Sequence, residues 1–302
     1  MPHAPASSRL AAAAAVSVLV LTAAACAPQE DSAPGGTGAA TSGPPGSAPA
    51  AASCSPSALR TRTTGKLTIG TDNPAYAPWF EDNEPANGKG YESAVAYAVA
   101  RQLGYDQAAV TWQPVAFNNA FAPGAKTFDF DLNQISITDE RRKAVDFSSG
   151  YYDVRQAVIA LKGSPAASAT TVAALKKVKL GAQIGTTSLD VINDRIRPTA
   201  AAAVYQKNDL AVSALKNGQV DAIVLDLPTA FYITSAELED ARIVGQFDTT
   251  GGTPEQFGLV LDKGSPLTPC VSRAVDVLRS DGTLAKLEQQ WLSDAVDAPV
   301  LK

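Results

Sequence analysis

The segment "ISITDERRKAVDFSS", residues 135–149, decides how the rest of the chain is interpreted. A strand-like Ser-Ile-Thr is followed at once by five charged residues, Asp139 to Lys143, three of them basic in a chain with a net charge of -5. Thr138, with two acidic residues after it, has the pattern of a helix N-cap and an acidic first turn. Arg141 therefore lies at a helix start, where it either forms a surface ion pair with Asp139 or Glu140 or binds an anion.

Strands alternate with helices on both sides of this segment. Tyr91–Leu103 has apolar residues at helical spacing, and Ala222–Leu225 is an apolar strand that ends at Asp226. This alternation predicts mostly parallel sheets, in which ligands bind at the carboxyl ends of strands. Asp226, Thr187 and the region of Ser136 all lie at such ends, so we expect them to converge on one site.

Composition excludes several classes of function. The chain has 302 residues, enough for two lobes, and its pI near 5.0 argues against binding to nucleic acid. Its single histidine, His3, lies in a segment that we expect to be removed. The mature protein would then lack an imidazole for Ser-His or Cys-His catalysis or for a zinc site, and we predict no metal and no cofactor.

The N-terminus has the features of an export signal. An apolar run from Leu10 to Ala25 is too short to span a membrane and ends at Cys26, in "LTAAAC", which resembles the lipobox of bacterial lipoproteins. We therefore expect residues 1–26 to be a lipoprotein signal peptide with a lipidated Cys26; the alternative is an ordinary signal peptide cleaved nearby. Residues 27–56, rich in Ala, Pro, Gly and Ser, are predicted to be a disordered linker.

Two further cysteines, Cys54 and Cys270, remain in the exported chain. An even pair in an oxidising compartment favours a disulfide, although two buried free thiols are the alternative.

Five segments, taken together, resemble one known family. They are "GKLTIGTDNPAYAPWF", "GYESAVAYAVARQLG", "SITDERRKAVDFSSGYY", "VKLGAQIGTTS" and "GQVDAIVLD". Their order and spacing are similar to those of the family 3 extracellular solute-binding proteins, the amino-acid receptors of ATP-driven (ABC) uptake systems. The resemblance extends from about Gly65 to Leu292, and the T-x-x-R followed by V-D-F-S is its most specific part.

The resemblance implies a two-lobed α/β fold of the periplasmic-binding-protein type II, with two hinge strands and a ligand cleft between the lobes. The first lobe would comprise residues 57–157 and 256–302, and the second residues 158–255. Both cysteines of the pair would then belong to the first lobe, where a disulfide would not obstruct closure of the cleft.

The resemblance also assigns roles in binding an amino acid. Arg141 matches the arginine that binds the ligand's carboxylate, helped by Ser136 and by Thr187 of the second lobe. Asp226 matches the acid that binds the ammonium; its alternative role is to cap the helix that follows. Gln134 matches a position whose carbonyl reaches the ammonium and whose side chain is also expected to touch the ligand's variable end.

Three residues are expected to form the wall around the ligand's side chain. Tyr76 matches an aromatic residue that packs over it, Phe117 would form the opposite wall, and Asp72 would set its polarity. Trp79 is expected in the core rather than at the ligand.

The resemblance therefore implies an extracytoplasmic protein that binds an amino acid, with a preference for a polar one. It would deliver this amino acid to an ABC permease, which works with its ATPase subunits. We expect a monomer, lipid-anchored at the outer face of the cytoplasmic membrane, with no enzymatic activity. The alternative is an enzyme on the same fold, such as a dehydratase of cyclic acids. Its candidate acid or base groups would be Asp129, Asp131, Glu237 and Glu239.

Overall fold

The computed structural model describes residues 54–249, 252, 254–293 and 298–302. The predicted signal peptide with Cys26, and the predicted linker up to residue 53, lie outside the described residues. The linker was predicted to extend to residue 56, which is wrong for its last three residues, because Cys54 forms a disulfide and the Ser55 carbonyl accepts from the backbone N–H groups of Ala58 and Leu59. Within the described part of the chain, no helix is both long and apolar enough to cross a membrane.

Strands and helices alternate along the described residues. The strands are β1 (Leu67–Thr71), β2 (Val110–Pro114), β3 (Phe130–Asp131), β4 (Val145–Val154), β5 (Gln156–Leu161), β6 (Leu180–Gln183), β7 (Ala203–Tyr205), β8 (Ala222–Asp226), β9 (Ala241–Gln246) and β10 (Glu255–Asp262). The α-helices are α1 (Tyr91–Gln102), α2 (Phe117–Ala120), α3 (Asp139–Ala144), α4 (Val172–Leu175), α5 (Thr187–Asp190), α6 (Asn208–Lys216), α7 (Leu227–Tyr232), α8 (Thr268–Ser280) and α9 (Thr283–Leu292). The predicted helix after Gly90 and the predicted strand before Asp226 are both confirmed.

The strands form two separate five-stranded sheets, in the orders β2–β1–β3–β10–β4 and β7–β6–β8–β5–β9. In the first sheet β1 pairs in parallel with β2 and β3, whereas β10 runs antiparallel to β3 and β4. In the second, β6 pairs in parallel with β7 and β8, whereas β5 runs antiparallel to β8 and β9. The sheets are therefore mixed, and the expectation of mostly parallel sheets is wrong. The antiparallel pairs arise because the chain passes twice between the sheets.

Two connections join the two halves of the molecule. β4 continues into β5 through Arg155, and residues 247–254 lead from β9 into β10. Two α/β lobes joined by two crossing segments are the architecture that the sequence predicted.

The C-terminal tail corrects one predicted lobe boundary. Residues 298–302 were assigned to the first lobe, but the backbone N–H and carbonyl of Gln246 bond to Pro299 and Leu301, which places the tail along β9. Ala298 and Leu301 are buried in the core of the second lobe. Burial of these two apolar side chains explains why the chain crosses back after α9.

Aromatic side chains fill the centre of the first lobe. The Trp79 ring lies 5.5 Å from the rings of both Tyr152 and Phe257 and 6.1 Å from that of Tyr91, each in an edge-on arrangement. Trp79 is fully buried, which confirms its predicted place in the core. Its indole nitrogen donates to Thr229 Oγ1 of the second lobe at 2.9 Å, so this core also reaches the lobe boundary.

A disulfide joins Cys54 to Cys270, with their Cα atoms 5.5 Å apart. The predicted bridge is confirmed, and the alternative of two free thiols is wrong. Cys270 lies on α8, in the core of the first lobe, so the bridge fastens the start of the described chain to that lobe.

We expect a Cys54→Ser/Cys270→Ser variant to lose about 2–5 kcal/mol of its free energy of unfolding. The bridge closes a loop between residues separated by 216 positions and so reduces the conformational entropy of the unfolded chain. Its removal restores that entropy and stabilises the unfolded state. Urea unfolding of both proteins measures the difference. Equal free energies of unfolding would contradict a stabilising role for the bridge.

Candidate functional site

A small cavity lies between the two lobes, at the carboxyl ends of strands from both sheets. Its volume is about 20 Å³, which is room for about one or two water molecules. The structure brings all eight predicted ligand-binding residues to this one cavity: Asp72, Tyr76, Phe117, Gln134, Ser136, Arg141, Thr187 and Asp226. Four polar residues that the sequence analysis did not name also line it: Asn133, Gln183, Thr186 and Asn208.

Arg141 is held in place by the local structure that its sequence predicted. Thr138 caps α3, and its Oγ1 accepts a hydrogen bond from the Arg141 backbone N–H at 3.1 Å. The Arg141 side chain is only 8% exposed, whereas Glu140 pairs with Lys143 at the surface. The surface ion pair considered for Arg141 is therefore wrong.

The Arg141 guanidinium spans the lobe boundary. Nη1 donates to the carbonyl of Ser136 in the first lobe at 2.6 Å, and Nη2 donates to the carbonyl of Gly185 in the second at 2.8 Å. Its plane also lies 4.4 Å from the centre of the Phe121 ring and 5.7 Å from that of Phe117, which favours a cation there. A guanidinium has five N–H donors, so the group retains capacity to bind an anion.

Ser136 and Thr187 face each other across the cleft, with their hydroxyl oxygens 3.4 Å apart. Both donate to Glu255 Oε1, at 2.5 Å from Ser136 and 2.6 Å from Thr187. Thr187 lies in the first turn of α5, which Thr186 caps by accepting from the backbone N–H of Leu189. Glu255 is thus a charged neighbour of the predicted carboxylate-binding group.

Asp226 ends β8 and points into the cavity. Its carboxylate makes no capping hydrogen bond to α7, which rules out the alternative role of a helix cap. Its Oδ1 accepts from the amide of Gln156 at 2.7 Å. Burial, reinforced by the negative charge of Glu255, raises the pKa of Asp226 to about 8.

Gln134 forms hydrogen bonds with a buried acid, Glu92. Its backbone N–H donates to Glu92 Oε1 at 2.8 Å and its side-chain amide donates to Glu92 Oε2. The Tyr151 hydroxyl donates to the same carboxylate, and burial raises the pKa of Glu92 to about 7. One N–H of the Gln134 side-chain amide is thus used, and the residue still lines the cavity.

The three predicted wall residues occupy the first-lobe side of the cavity. Asp72 follows β1 directly, its Oδ1 accepts from the backbone N–H of Asn73 at 2.7 Å, and burial raises its pKa. Phe117 opens α2 and packs edge-on against Phe121, with ring centres 5.3 Å apart. Burial also raises the pKa of the Tyr76 hydroxyl, so Tyr76 contributes an uncharged side chain to the cavity wall.

Contacts between the lobes hold the cleft closed. Besides the bonds from Trp79 and Arg141, Lys207 Nζ of the second lobe donates to the Asn73 carbonyl of the first at 2.5 Å. Gly185 adopts a φ of +76°, and a Cβ on it would lie 2.2 Å from Asn118 Oδ1. Glycine is thus required at this point of close approach.

The site offers paired charges but no metal cluster. Among the described residues, no group of three or more His, Cys, Asp or Glu side chains is arranged to hold a metal ion.

The sequence analysis missed Gln156 and Glu255, which bind the predicted residues directly. Each is the first residue of a strand, β5 or β10, where a connection from the other lobe ends. The one sequence feature that could have indicated them is a polar residue at the start of the strand that follows each connection between the lobes.

Comparison with known proteins identifies the family. Residues 67–294 match the model of the bacterial extracellular solute-binding proteins, family 3. The chain belongs to this family.

Similar proteins and a similar solved structure agree with this assignment. The lysine/arginine/ornithine-binding periplasmic protein of Escherichia coli (strain K12) is 29% identical over 240 residues, covering 74% of this chain and 86% of the relative. The ABC transporter glutamine-binding protein of Bacillus subtilis (strain 168) is 26% identical over 220 residues, covering 71% and 77%. The crystal structure of an ancestral amino acid-binding protein, a precursor of cyclohexadienyl dehydratase, is 31% identical, covers 76% of this chain and 95% of that one, and has a TM-score of 0.63.

We expect the free energy of unfolding to fall as pH rises from 5 to 8. The pKa values of Asp226 and Glu92 are raised from 3.8 and 4.5 to about 8 and 7 in the folded protein, so both carboxyls take up a proton on folding. Their stabilisation is complete below about pH 4 and is lost as pH passes the folded pKa values. Asp226→Asn should make the fall shallower by up to about 1.4 kcal/mol per pH unit.

Urea unfolding at several pH values measures these slopes. Asp240→Asn makes the same change at an exposed position and should retain the wild-type slope. Identical slopes in all three proteins would contradict the raised pKa of Asp226.

Proposed function

We propose that this family 3 protein is the extracytoplasmic substrate-binding component of an ABC importer for an amino acid. The observation that carries the proposal is a guanidinium from one lobe, Arg141, and a carboxylate from the other, Asp226, facing the same closed cavity. These are the two charges that complement the carboxylate and ammonium of a free amino acid.

Physical chemistry supports this pairing. Burying either charge of a zwitterion without a partner costs several kcal/mol. The planar fork of Arg141 matches a carboxylate with two parallel hydrogen bonds. An ammonium beside Asp226 would favour the ionised carboxylate and reverse the rise in its pKa.

Affinity requires both lobes. Micromolar binding corresponds to about -8 kcal/mol, or roughly 0.8 kcal/mol for each of about ten heavy atoms of an amino acid. That binding free energy per atom is high for a small ligand, so almost the whole ligand has to be buried. Because Arg141 and Asp226 belong to different lobes, a ligand that pairs with both favours the closed form, which a permease can recognise.

We propose a polar amino acid as the ligand. Asp72 and Gln134 supply polar groups to the wall of the cavity, together with Asn133, Gln183 and Asn208. Tyr76 and Phe117 supply flat apolar surfaces that accept the aliphatic part of a side chain. The two curated relatives described above bind lysine, arginine, ornithine or glutamine, which are compatible with such a wall.

Binding is proposed rather than catalysis. The ancestral precursor of a dehydratase has a similar fold, so an enzyme is the second candidate. Its four candidate acids are not among the residues lining the cavity, and both oxygens of Asp129 accept backbone N–H groups from Arg62 and Thr68. Turnover of a cyclic acid by the pure protein would favour the enzyme.

The proposed protein works as a monomer, with an ABC permease and its ATPase subunits as partners. Lipidation of Cys26 would anchor it at the outer face of the cytoplasmic membrane, with the residues from Ala27 up to the bridged Cys54 as the linker.

We expect a thermal-shift screen of the twenty amino acids to find a ligand for the wild-type protein and none for Arg141→Ala. Removing one partner of a buried charge pair should weaken binding by more than about 30-fold, as titration calorimetry with the best amino acid will measure. Arg142→Ala, a change at the exposed neighbour in α3, should bind as the wild type does.

Two further measurements make this test decisive. Circular dichroism checks that Arg141→Ala is folded. If Arg141→Ala does not fold, Arg141→Lys takes its place, because lysine keeps the positive charge but lacks the two parallel N–H donors of the guanidinium. Undiminished affinity in a folded Arg141 variant would contradict the proposed carboxylate clamp.

We expect Cys26→Ser to release the protein from membranes, because the thiol that carries the lipid is absent. Fractionation of cells that express the wild-type protein and the variant measures the membrane-bound share. Equal membrane retention would contradict the lipid anchor.

A further inference from the structure

Glu255 places an internal carboxylate where an anion is expected to bind. It is the first residue of β10, at the end of the second connection between the lobes. Its Oε1 accepts hydrogen bonds from the hydroxyls of Ser136, in the first lobe, and Thr187, in the second. These are the two hydroxyls assigned above to the carboxylate of an amino acid.

The negative charge of Glu255 also acts on Arg141. Among the charges that oppose the lowering of the Arg141 pKa by burial, Glu255 has the largest effect, ahead of Asp190 and Asp226. Glu255 thus partly offsets the cost of burying the guanidinium to which a ligand carboxylate would bind.

Glu255 and a ligand carboxylate cannot use these groups together. A hydroxyl has one hydrogen to donate, so each hydrogen bond from Ser136 or Thr187 to Glu255 is unavailable to a second anion. Two ionised carboxylates sharing one site also repel each other strongly. The cavity of about 20 Å³ leaves no room for the ten or so heavy atoms of an amino acid unless side chains move.

The structure provides a place for a displaced Glu255 side chain. A second cavity of about 350 Å³, here called the hinge-side cavity, lies next to the crossing segments and is lined by Glu255, Thr187, Gln156, Arg155 and Arg195. Each arginine makes a hydrogen bond through one nitrogen, Arg155 to Gln246 Oε1 at 3.2 Å and Arg195 to the Asp248 carbonyl at 3.0 Å. The other N–H groups of both guanidiniums can donate hydrogen bonds to a carboxylate.

We propose that Glu255 is an internal competitor of the ligand: its carboxylate holds the hydroxyls that the carboxylate of an amino acid requires, and the amino acid displaces it into the hinge-side cavity. The proposal rests on the proposed function of amino-acid binding. Two consequences follow from it. Glu255 stabilises closure without a ligand, because it joins hydroxyls of opposite lobes, and it weakens binding, because every ligand has to remove it.

The first experiment needs no ligand. Small-angle X-ray scattering compares the ligand-free wild type with Glu255→Ala and with Glu239→Gln, which alters an exposed glutamate of the second lobe. The proposal predicts a larger radius of gyration for Glu255→Ala, because the carboxylate bridge between the lobes is lost, and no change for Glu239→Gln. Equal radii for all three proteins would overturn the role of Glu255 in closure.

The second experiment measures competition with two matched pairs of probes. Calorimetry gives the affinities of L-arginine and agmatine, and of L-glutamine and 4-aminobutanamide; the second member of each pair lacks the carboxylate. Glu255→Gln keeps the shape of the side chain and removes its charge. Relative to its decarboxylated partner, the amino acid that binds should gain about three- to tenfold in affinity, and Glu239→Gln should give no gain.

The outcomes separate this proposal from the proposed function. An unchanged or lower ratio in Glu255→Gln would overturn the competition and indicate that Glu255 binds the ligand's cationic group instead. If the wild type binds none of the twenty amino acids, the proposed function fails, and the scattering experiment alone decides whether Glu255 holds the lobes together.

Discussion

The structure depends on one buried cation at the boundary of two lobes. Arg141 donates to a carbonyl of each lobe and is flanked by two phenylalanine rings, so its position is fixed when the cleft is closed. A buried guanidinium needs an anion nearby, because charge removed from water is costly unless it is paired. The charge of Glu255 partly meets this need from within the protein, and an amino acid's carboxylate would meet it in the complex. Closure of the cleft and recognition of a ligand are therefore two results of the same electrostatic requirement.

The fold supplies this arrangement through its strand ends. Asp72 follows β1, Asp226 ends β8, Ser136 follows β3, and Thr187 begins α5 after β6, so short segments from both sheets meet at one cavity. The two connections between the lobes place Gln156 and Glu255 beside that cavity. The polar network at the site thereby includes the strands about which the lobes would move. In the proposed function, binding and hinge motion would be coupled through these direct contacts.

Local sequence patterns predicted much of this structure, but they did not predict the contacts between residues that are far apart in the sequence. The Thr138 cap, the helix after Gly90 and the strand before Asp226 depend on neighbouring residues, and each formed as expected. The family resemblance supplied the eight residues that surround the cavity. Glu255 was missed because its partners are 119 and 68 positions away, and no local pattern marks such a contact. The mixed sheets and the return of residues 298–302 to the second lobe likewise depend on how distant segments pack.

A crystal structure of the protein with its bound amino acid tests the central claim most directly. The account predicts the ligand's carboxylate about 3 Å from the Arg141 guanidinium and its ammonium about 3 Å from the Asp226 carboxylate. It also predicts that the Glu255 side chain lies in the hinge-side cavity. A ligand bound away from Arg141, or one bound in the cavity while Glu255 still contacts Ser136 and Thr187, would contradict the account.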